Sequence, residues 1–255
     1  MSIKTQQIVV ILTTLFTLTI NALSNALPLN GLTTDEISDR FQVYFVPAGY
    51  VFSVWGLIYI GMIAFTIYQA LPTQRYNPRL EGVRGWFILS NLANAGWLFL
   101  WHYEQFPVTL LAMGTLLVSL IAIYLRLRLG RGMVPALERW SVDALFSIYL
   151  GWITVATIAN VTAVLDYAGW NQFGLSDAVW MVVMLTVVAA VAWAMSLRER
   201  DWAYLAVLLW SLAGIGVKFP SEGAVTIATW TAFVVVGLAL LWTVIRPQAG
   251  RLASA

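Results

Sequence analysis

The placement of the basic residues constrains this chain more than any other feature. Eight apolar stretches follow one another along its 255 residues, at roughly 6–27, 49–71, 84–103, 107–125, 140–166, 177–197, 202–218 and 224–245. A membrane-spanning helix needs about 20 such residues at a rise of about 1.5 Å each. Lys and Arg crowd into alternate gaps between the stretches. Arg75, Arg79 and Arg84 share one gap, Arg126, Arg128, Arg131 and Arg139 another, and Arg198 and Arg200 a third. Lys4, Arg246 and Arg251 at the chain ends fall on the same side, which makes twelve basic residues there against only Arg40 and Lys218 on the other. This is the positive-inside bias of a multi-pass protein with both termini in the cytoplasm. The expected fold is all-α: a polytopic bundle of about eight transmembrane helices in the cell (inner) membrane.

Composition agrees and excludes several functions. A chain with 60% apolar and 10% charged residues is not a soluble domain. The net charge of +2 sits in short gaps, so it reads as a topology signal and contact with anionic lipid, not as a nucleic-acid surface. There is no cysteine for disulfide or thiolate chemistry, and one histidine cannot build a metal cluster. The first stretch follows Lys4 but runs on through Asn21 without a clean small-x-small cleavage site, so it is expected to be retained. Pro28, Pro72, Pro107, Pro220 and Pro247 punctuate the stretches. Period-two alternation is missing, which argues against a β-barrel.

The longest outer gap, 28–48, contains Thr33-Thr34-Asp35-Glu36, a capping-box pattern, followed by Ile37 and Phe41 at helical spacing. Two readings stay open: a short amphipathic helix over the outer mouth, or a solvated loop.

Polar and aromatic residues then cluster by helical face. Thr14, Thr17, Asn21 and Asn25 share a face on the first helix, and Phe52, Trp55 and Tyr59 on the second. Asn91, Asn94, Trp97 and Trp101 do so on the third, and Tyr149, Trp152, Ala156 and Asn160 on the fifth. Asn160 should lie about 9 Å below the outer end of its helix, and Asn94 about 13 Å below its own. Lipid cannot satisfy these amides, so each must face protein, water or a ligand. They are either interhelical hydrogen-bond donors and acceptors or the sparse polar groups of an apolar ligand cavity. Trp86, Trp140, Trp180, Trp202 and Trp242, near helix ends, fit an interfacial aromatic belt instead.

Three segments carry a family resemblance. Residues 47–59, Pro-Ala-Gly-Tyr-Val-Phe-Ser-Val-Trp-Gly-Leu-Ile-Tyr, resemble the start of the second helix in the TspO/MBR family. These are the tryptophan-rich sensory proteins, relatives of the translocator protein or peripheral benzodiazepine receptor. Asn94-Ala95-Gly96-Trp97 resembles the family's third-helix motif, and residues 149–160, from Tyr149-Leu150 through Trp152 to Asn160, its fifth. The resemblance covers roughly 1–166 and implies a five-helix bundle there, with 167–255 as a three-helix extension. It further implies a pocket beneath the first loop, a porphyrin or similar hydrophobic ligand, and pocket roles for Trp55, Asn94, Trp97, Trp152, Ala156 and Asn160. Tyr59, Asn91, Asn21 and Asn25 join the candidate ligand-binding set through the shared-face argument. Two departures stand out: an acidic first loop with Asp35, Glu36 and Asp39, and Tyr50 where the family has Trp.

The expected function is that of a membrane receptor or sensor binding a hydrophobic ligand in the outer half of the bilayer. The alternative is a transporter or facilitator of a small apolar solute. Asp143 is the one acid inside a span, read as a carboxylate at the positive end of a helix dipole, so an ion-coupled pump is disfavoured. His102 and Glu104 lie close together at a helix end, where a general acid–base pair is weighed against plain interfacial residues. No catalytic motif accompanies them, and no enzyme, resident cofactor or metal is expected. The expected partners are the lipid bilayer and a hydrophobic small molecule, with no nucleic acid, the chain being a monomer or homodimer.

Overall fold

The computed structural model describes residues 2–27, 29–129 and 134–246, without the side chains of Asn25 and Leu129. Pro28, Arg131, Pro247 and Arg251 therefore lie outside the described residues. Among those described there is no β-strand. Helix α1 spans Ile3–Ala26, and the Ser2 hydroxyl caps it by accepting the Thr5 N–H at 3.1 Å. The outer gap contains a short helix, α2, at Thr34–Ser38; the backbone N–H of Thr33 donates to Glu36 at 2.7 Å, as the capping-box pattern requires. A 3₁₀ turn at Gly49–Ser53 runs directly into α3, Val54–Ala70. Then come α4, Pro78–His102, and α5, Phe106–Leu129. The short α6, Ala136–Glu138, passes through a π-turn at Arg139–Asp143 into α7, Ala144–Tyr167. The chain ends with α8, Asp177–Arg198, α9, Trp202–Lys218, and α10, Ala224–Ile245.

Each of the eight apolar stretches forms a helix. Among the described residues, six helical segments are long and apolar enough to cross a bilayer by length and composition. Of the other two, α9 is apolar but has only 17 residues. α4 has 25, and it begins at Pro78, six residues before the expected boundary. Asn77 accepts the Arg79 N–H at 3.0 Å and Pro78 takes the first helical position, so Arg79, Glu81 and Arg84 become helical residues. Along the helices many apolar side chains face outward; Leu111 on α5 is 73% exposed, and Leu12, Ile60, Val118 and Leu238 are also exposed. An apolar exterior spread over this many helices is the surface of a membrane protein.

Polar contacts sort the two ends of the bundle. At one end Arg40 pairs with Glu104 at 2.6 Å, Lys218 with Asp39, and the Gln42 N–H donates to Asp166 at 3.2 Å. At the other, Arg79 pairs with Glu138 and with Asp143 at 2.8 Å. Asp143 is thus an ion-pair partner within a π-turn, eight residues into a continuous helical segment, and not a cap in a first turn. Arg84 is fully buried, its guanidinium donating to Gln69 Oε1 at 3.2 Å and to the carbonyls of Arg75 and Gln74 at 3.3 and 2.7 Å. It ties the connection between α3 and α4 to the start of α4.

The first five long helices close into a ring in the spatial order α1, α4, α5, α7, α3. α8, α9 and α10 pack on one another, and α9 lies against α7 and the 3₁₀ turn. Glycines allow that close approach. A Cβ at Gly214 would sit 2.1 Å from Val51 Cγ2, and one at Gly151 would sit 3.1 Å from the Tyr204 carbonyl. At the basic end Asp201 fastens the same seam. Its carboxylate caps α9 through Tyr204 N–H at 3.1 Å, accepts from Tyr124 at 2.8 Å and Ser147 at 2.5 Å, and pairs with Arg128. Replacing Asp201 with Ala removes the cap and strands Arg128, so thermal unfolding in detergent should report a loss of about 3 kcal/mol. An unchanged melting temperature would show that the seam does not depend on this carboxylate.

Candidate functional site

Two polar layers cross the half of the ring nearer α2. The deeper one joins α1, α3, α4 and α7. Asn21 Nδ2 donates to Asn94 Oδ1 at 2.8 Å and Tyr59 Oη donates to Asn21 Oδ1 at 2.7 Å. Asn94 Nδ2 in turn donates to Tyr149 Oη at 3.1 Å. Asn91 lies one turn deeper on α4, donating to Thr13 at 3.3 Å and Thr14 at 3.2 Å while its carbonyl accepts from Thr17 at 2.9 Å. These contacts are the interhelical bonds that lipid cannot supply.

Nearer α2, Trp97 Nε1 donates to Asn160 Oδ1 at 3.0 Å, and Asn160 Nδ2 donates to Thr109 Oγ1 at 2.9 Å. The relay ties α4, α7 and α5 together. Trp97 stacks on Trp101 with centroids 5.3 Å apart and planes 19° from parallel. Trp101 reaches up to donate to the Thr34 carbonyl of α2 at 3.2 Å. Phe41 closes over both Trp101 and Phe106, at 5.6 and 5.0 Å. Ile37 of α2 and Phe45 and Val46 of the loop are buried beneath it. The first loop is therefore a lid, held down by apolar residues of its own.

Between lid and relay lies a cavity of about 40 Å³. Thr34, Ser38 and Pro47 form its roof, Trp97, Trp101 and Trp152 its walls, with Phe52, Val155, Ala156, Ala159 and Asn160 completing it. Trp152 is only 2% exposed, yet its indole Nε1–H has no hydrogen-bond partner. A donor left unpaired out of water costs about 1–3 kcal/mol.

Of the residues expected from sequence, Trp97, Trp152, Ala156 and Asn160 line the cavity. Trp55 stands one ring behind, stacked on Tyr59 at 5.6 Å and edge-on to Trp152 at 6.2 Å. Asn21, Asn94 and Tyr59 belong to the deeper layer and Asn91 to the threonine contacts, away from the cavity wall. The Asn25 side chain lies outside the described residues. The roof residues escaped sequence reasoning, because nothing in a loop marks which of its side chains will face down. Trp101 was legible on the shared face of Trp97. His102 and Glu104 do not pair: His102 is buried with Nδ1 at 2.8 Å from the Leu98 carbonyl, while Glu104 turns to Arg40.

The lid is also fastened from the far side. The Ala48 N–H donates to the Gly214 carbonyl at 3.2 Å, Trp210 Nε1 donates to the Val51 carbonyl at 3.1 Å, and Lys218 pairs with Asp39. All three contacts come from α9.

A family model described as TSPO-like protein matches residues 7–245, a span that includes α8, α9 and α10. Among curated proteins and solved structures, none matches the chain.

Substituting Asn160 with Leu would break the Trp97–Asn160–Thr109 relay and leave a second indole N–H unpaired beside the cavity. The expected cost is about 1–3 kcal/mol in detergent melts, with a shift in Trp emission. Unchanged stability and emission would show the relay to be dispensable.

Proposed function

The chain belongs to the TSPO-like protein family, and from that premise we propose that it is a receptor-type membrane protein that binds a hydrophobic ligand beneath its first loop. The ligand is of the porphyrin class or similar in size and flatness. The observation that carries this reading is the Trp-walled cavity with one buried donor, the Trp152 indole, left without an acceptor. Aromatic walls with a few convergent polar groups are the usual make-up of a small-molecule site. The ligand would bring an acceptor to Trp152 and spread its ring system against Trp97 and Trp101.

A site for a ligand of that size measures about 300–1,000 Å³, far more than the about 40 Å³ enclosed here. Binding therefore requires the lid to lift, and α2 with its flanking loop is the part that moves. The contacts from α9 then set the ease of opening. A facilitator would instead need a path past Phe65, Phe87 and Phe146, whose rings pack with centroids 4.7–5.7 Å apart below the amide layer. No observation favours that path.

In the membrane, the basic end of the bundle would face the cytoplasm with both termini, and α4 and α9 would complete eight spans of the cell membrane. Arg79, Glu81 and Arg84 all sit in its first two turns, at the basic end of the bundle.

Titration of the purified protein with protoporphyrin IX should quench Trp fluorescence saturably, and Trp152→Phe should weaken binding by about tenfold, as loss of one hydrogen bond in a dry site implies. Equal affinity in the variant, or no saturable quenching in the parent protein, would remove this reading. Lys218→Ala cuts one lid contact and should raise the association rate by up to about fivefold, read by stopped-flow quenching. An unchanged rate would mean that α9 does not govern access.

A further inference from the structure

We propose that the acidic end carries a second binding site, separate from the Trp-walled cavity, for an organic ammonium group of the quaternary type. It lies where residues 42–45 cross between the end of α7 and the start of α8. A cavity of about 110 Å³ opens there, larger than the one under α2. Its floor is apolar, formed in part by Met181 and Met184. Its rim combines aromatic rings with two carboxylates: Tyr44, Trp170 and Trp180 with Asp166 and Asp177.

The geometry is built rather than incidental. Trp180 Nε1 donates to the Gln172 carbonyl at 2.9 Å, which fixes its ring. Trp170 packs on Trp180 with centroids 5.0 Å apart, and Phe173 meets Trp170 edge-on at 5.2 Å. Gln172 also donates from Nε2 to Asp177 Oδ1 at 2.5 Å, so one residue orients both a ring and a carboxylate. Asp166 is held by the Gln42 N–H at 3.2 Å. Each carboxylate keeps further acceptor capacity, and neither forms an ion pair among the described residues.

The charge balance selects the ligand. No Lys or Arg lines the cavity. The two basic residues at this end are already engaged, Lys218 by Asp39 and Arg40 by Glu104. Glu222 adds a third carboxylate next to the rim, accepting from Tyr44 Oη at 3.1 Å. That hydrogen bond, with burial and the fields of Glu222 and Asp177, raises the Tyr44 pKa above the usual tyrosine value. The same field disfavours an anion and draws in a cation. A hard metal ion is a poor match, because no group of three or more His, Asp or Glu among the described residues is arranged to hold one. A soft cation with methyl groups fits: ring faces attract the diffuse charge, carboxylates neutralise it, and methionines take the apolar part. Free quaternary amines and choline-type lipid headgroups share this chemistry.

The probe is benzyltrimethylammonium, titrated into the full-length protein in an uncharged maltoside detergent and followed by calorimetry and Trp fluorescence. Saturable binding is expected. It should weaken by about tenfold in the Asp166→Asn, Asp177→Asn double variant and by a similar factor in Trp180→Leu, as loss of a charge pair or a ring face implies. The two carboxylates are exposed, so the Asn variant is expected to keep the parent's melting temperature. The neutral carbon analogue of the probe, neopentylbenzene, should not bind saturably, and Trp152→Phe should leave binding unchanged, which separates this site from the Trp-walled cavity. Competition by added phosphatidylcholine would identify a lipid headgroup as the source, and its absence a free amine. The proposal is overturned if the parent protein shows no saturable binding, if the double Asn variant binds equally well, or if the neutral analogue binds as tightly as the cation.

Discussion

A polar group inside a bilayer has no water to return to, and the arrangement of this protein follows from that. Asn21, Asn94, Tyr59 and Tyr149 complete one another across four helices. Asn91 Nδ2 finds threonines, and Arg84 finds the Gln69 side chain and two backbone carbonyls of the connection between α3 and α4. Asn91 Oδ1 and His102 Nε2 are among the buried atoms left unpaired, and so is the Trp152 indole N–H, whose residue lines the Trp-walled cavity. Buried donors are kept without partners only where something outside the chain supplies one or where strain is tolerated.

The same economy explains why the C-terminal helices matter to the site. α9 lies across the seam between α7 and the 3₁₀ turn that starts α3, drawn close by Gly151 and Gly214 and fixed at the basic end by Asp201. Its other end meets the lid through Gly214, Trp210 and Lys218. One helix therefore connects the close-packed seam to the first loop. The roof over the Trp-walled cavity comes from the first loop, which is tied in turn to a helix about 170 residues later in the chain.

Much of the architecture was readable in the chain. Hydropathy and charge alternation located all eight helical stretches, since burying backbone in lipid leaves helix as the only open-ended solution. Boundaries were less secure where charge and helix overlap: α4 starts at Pro78 because Asn77 and Pro78 supply a cap and a first turn that hydropathy does not register. Asp143 looked like a first-turn residue for the same reason, until the continuous run from Ala136 placed it mid-segment beside Arg79.

The sequence by itself determined that the chain is a helical membrane bundle, which end is basic, and which faces of four helices carry amides and indoles, because these depend on local periodicity and composition. Only the tertiary structure decided how those faces divide. Helices that share a polar face can meet through hydrogen bonds or around a void, and the choice rests on axial offsets of a few ångströms that periodicity does not encode. So Asn21, Asn91 and Asn94 became ties between helices, whereas Trp97, Trp152, Ala156 and Asn160 came to border a cavity. The roof of that cavity, and the aromatic and acidic groove beside α8, depend on contacts between segments far apart in the chain, which packing alone specifies.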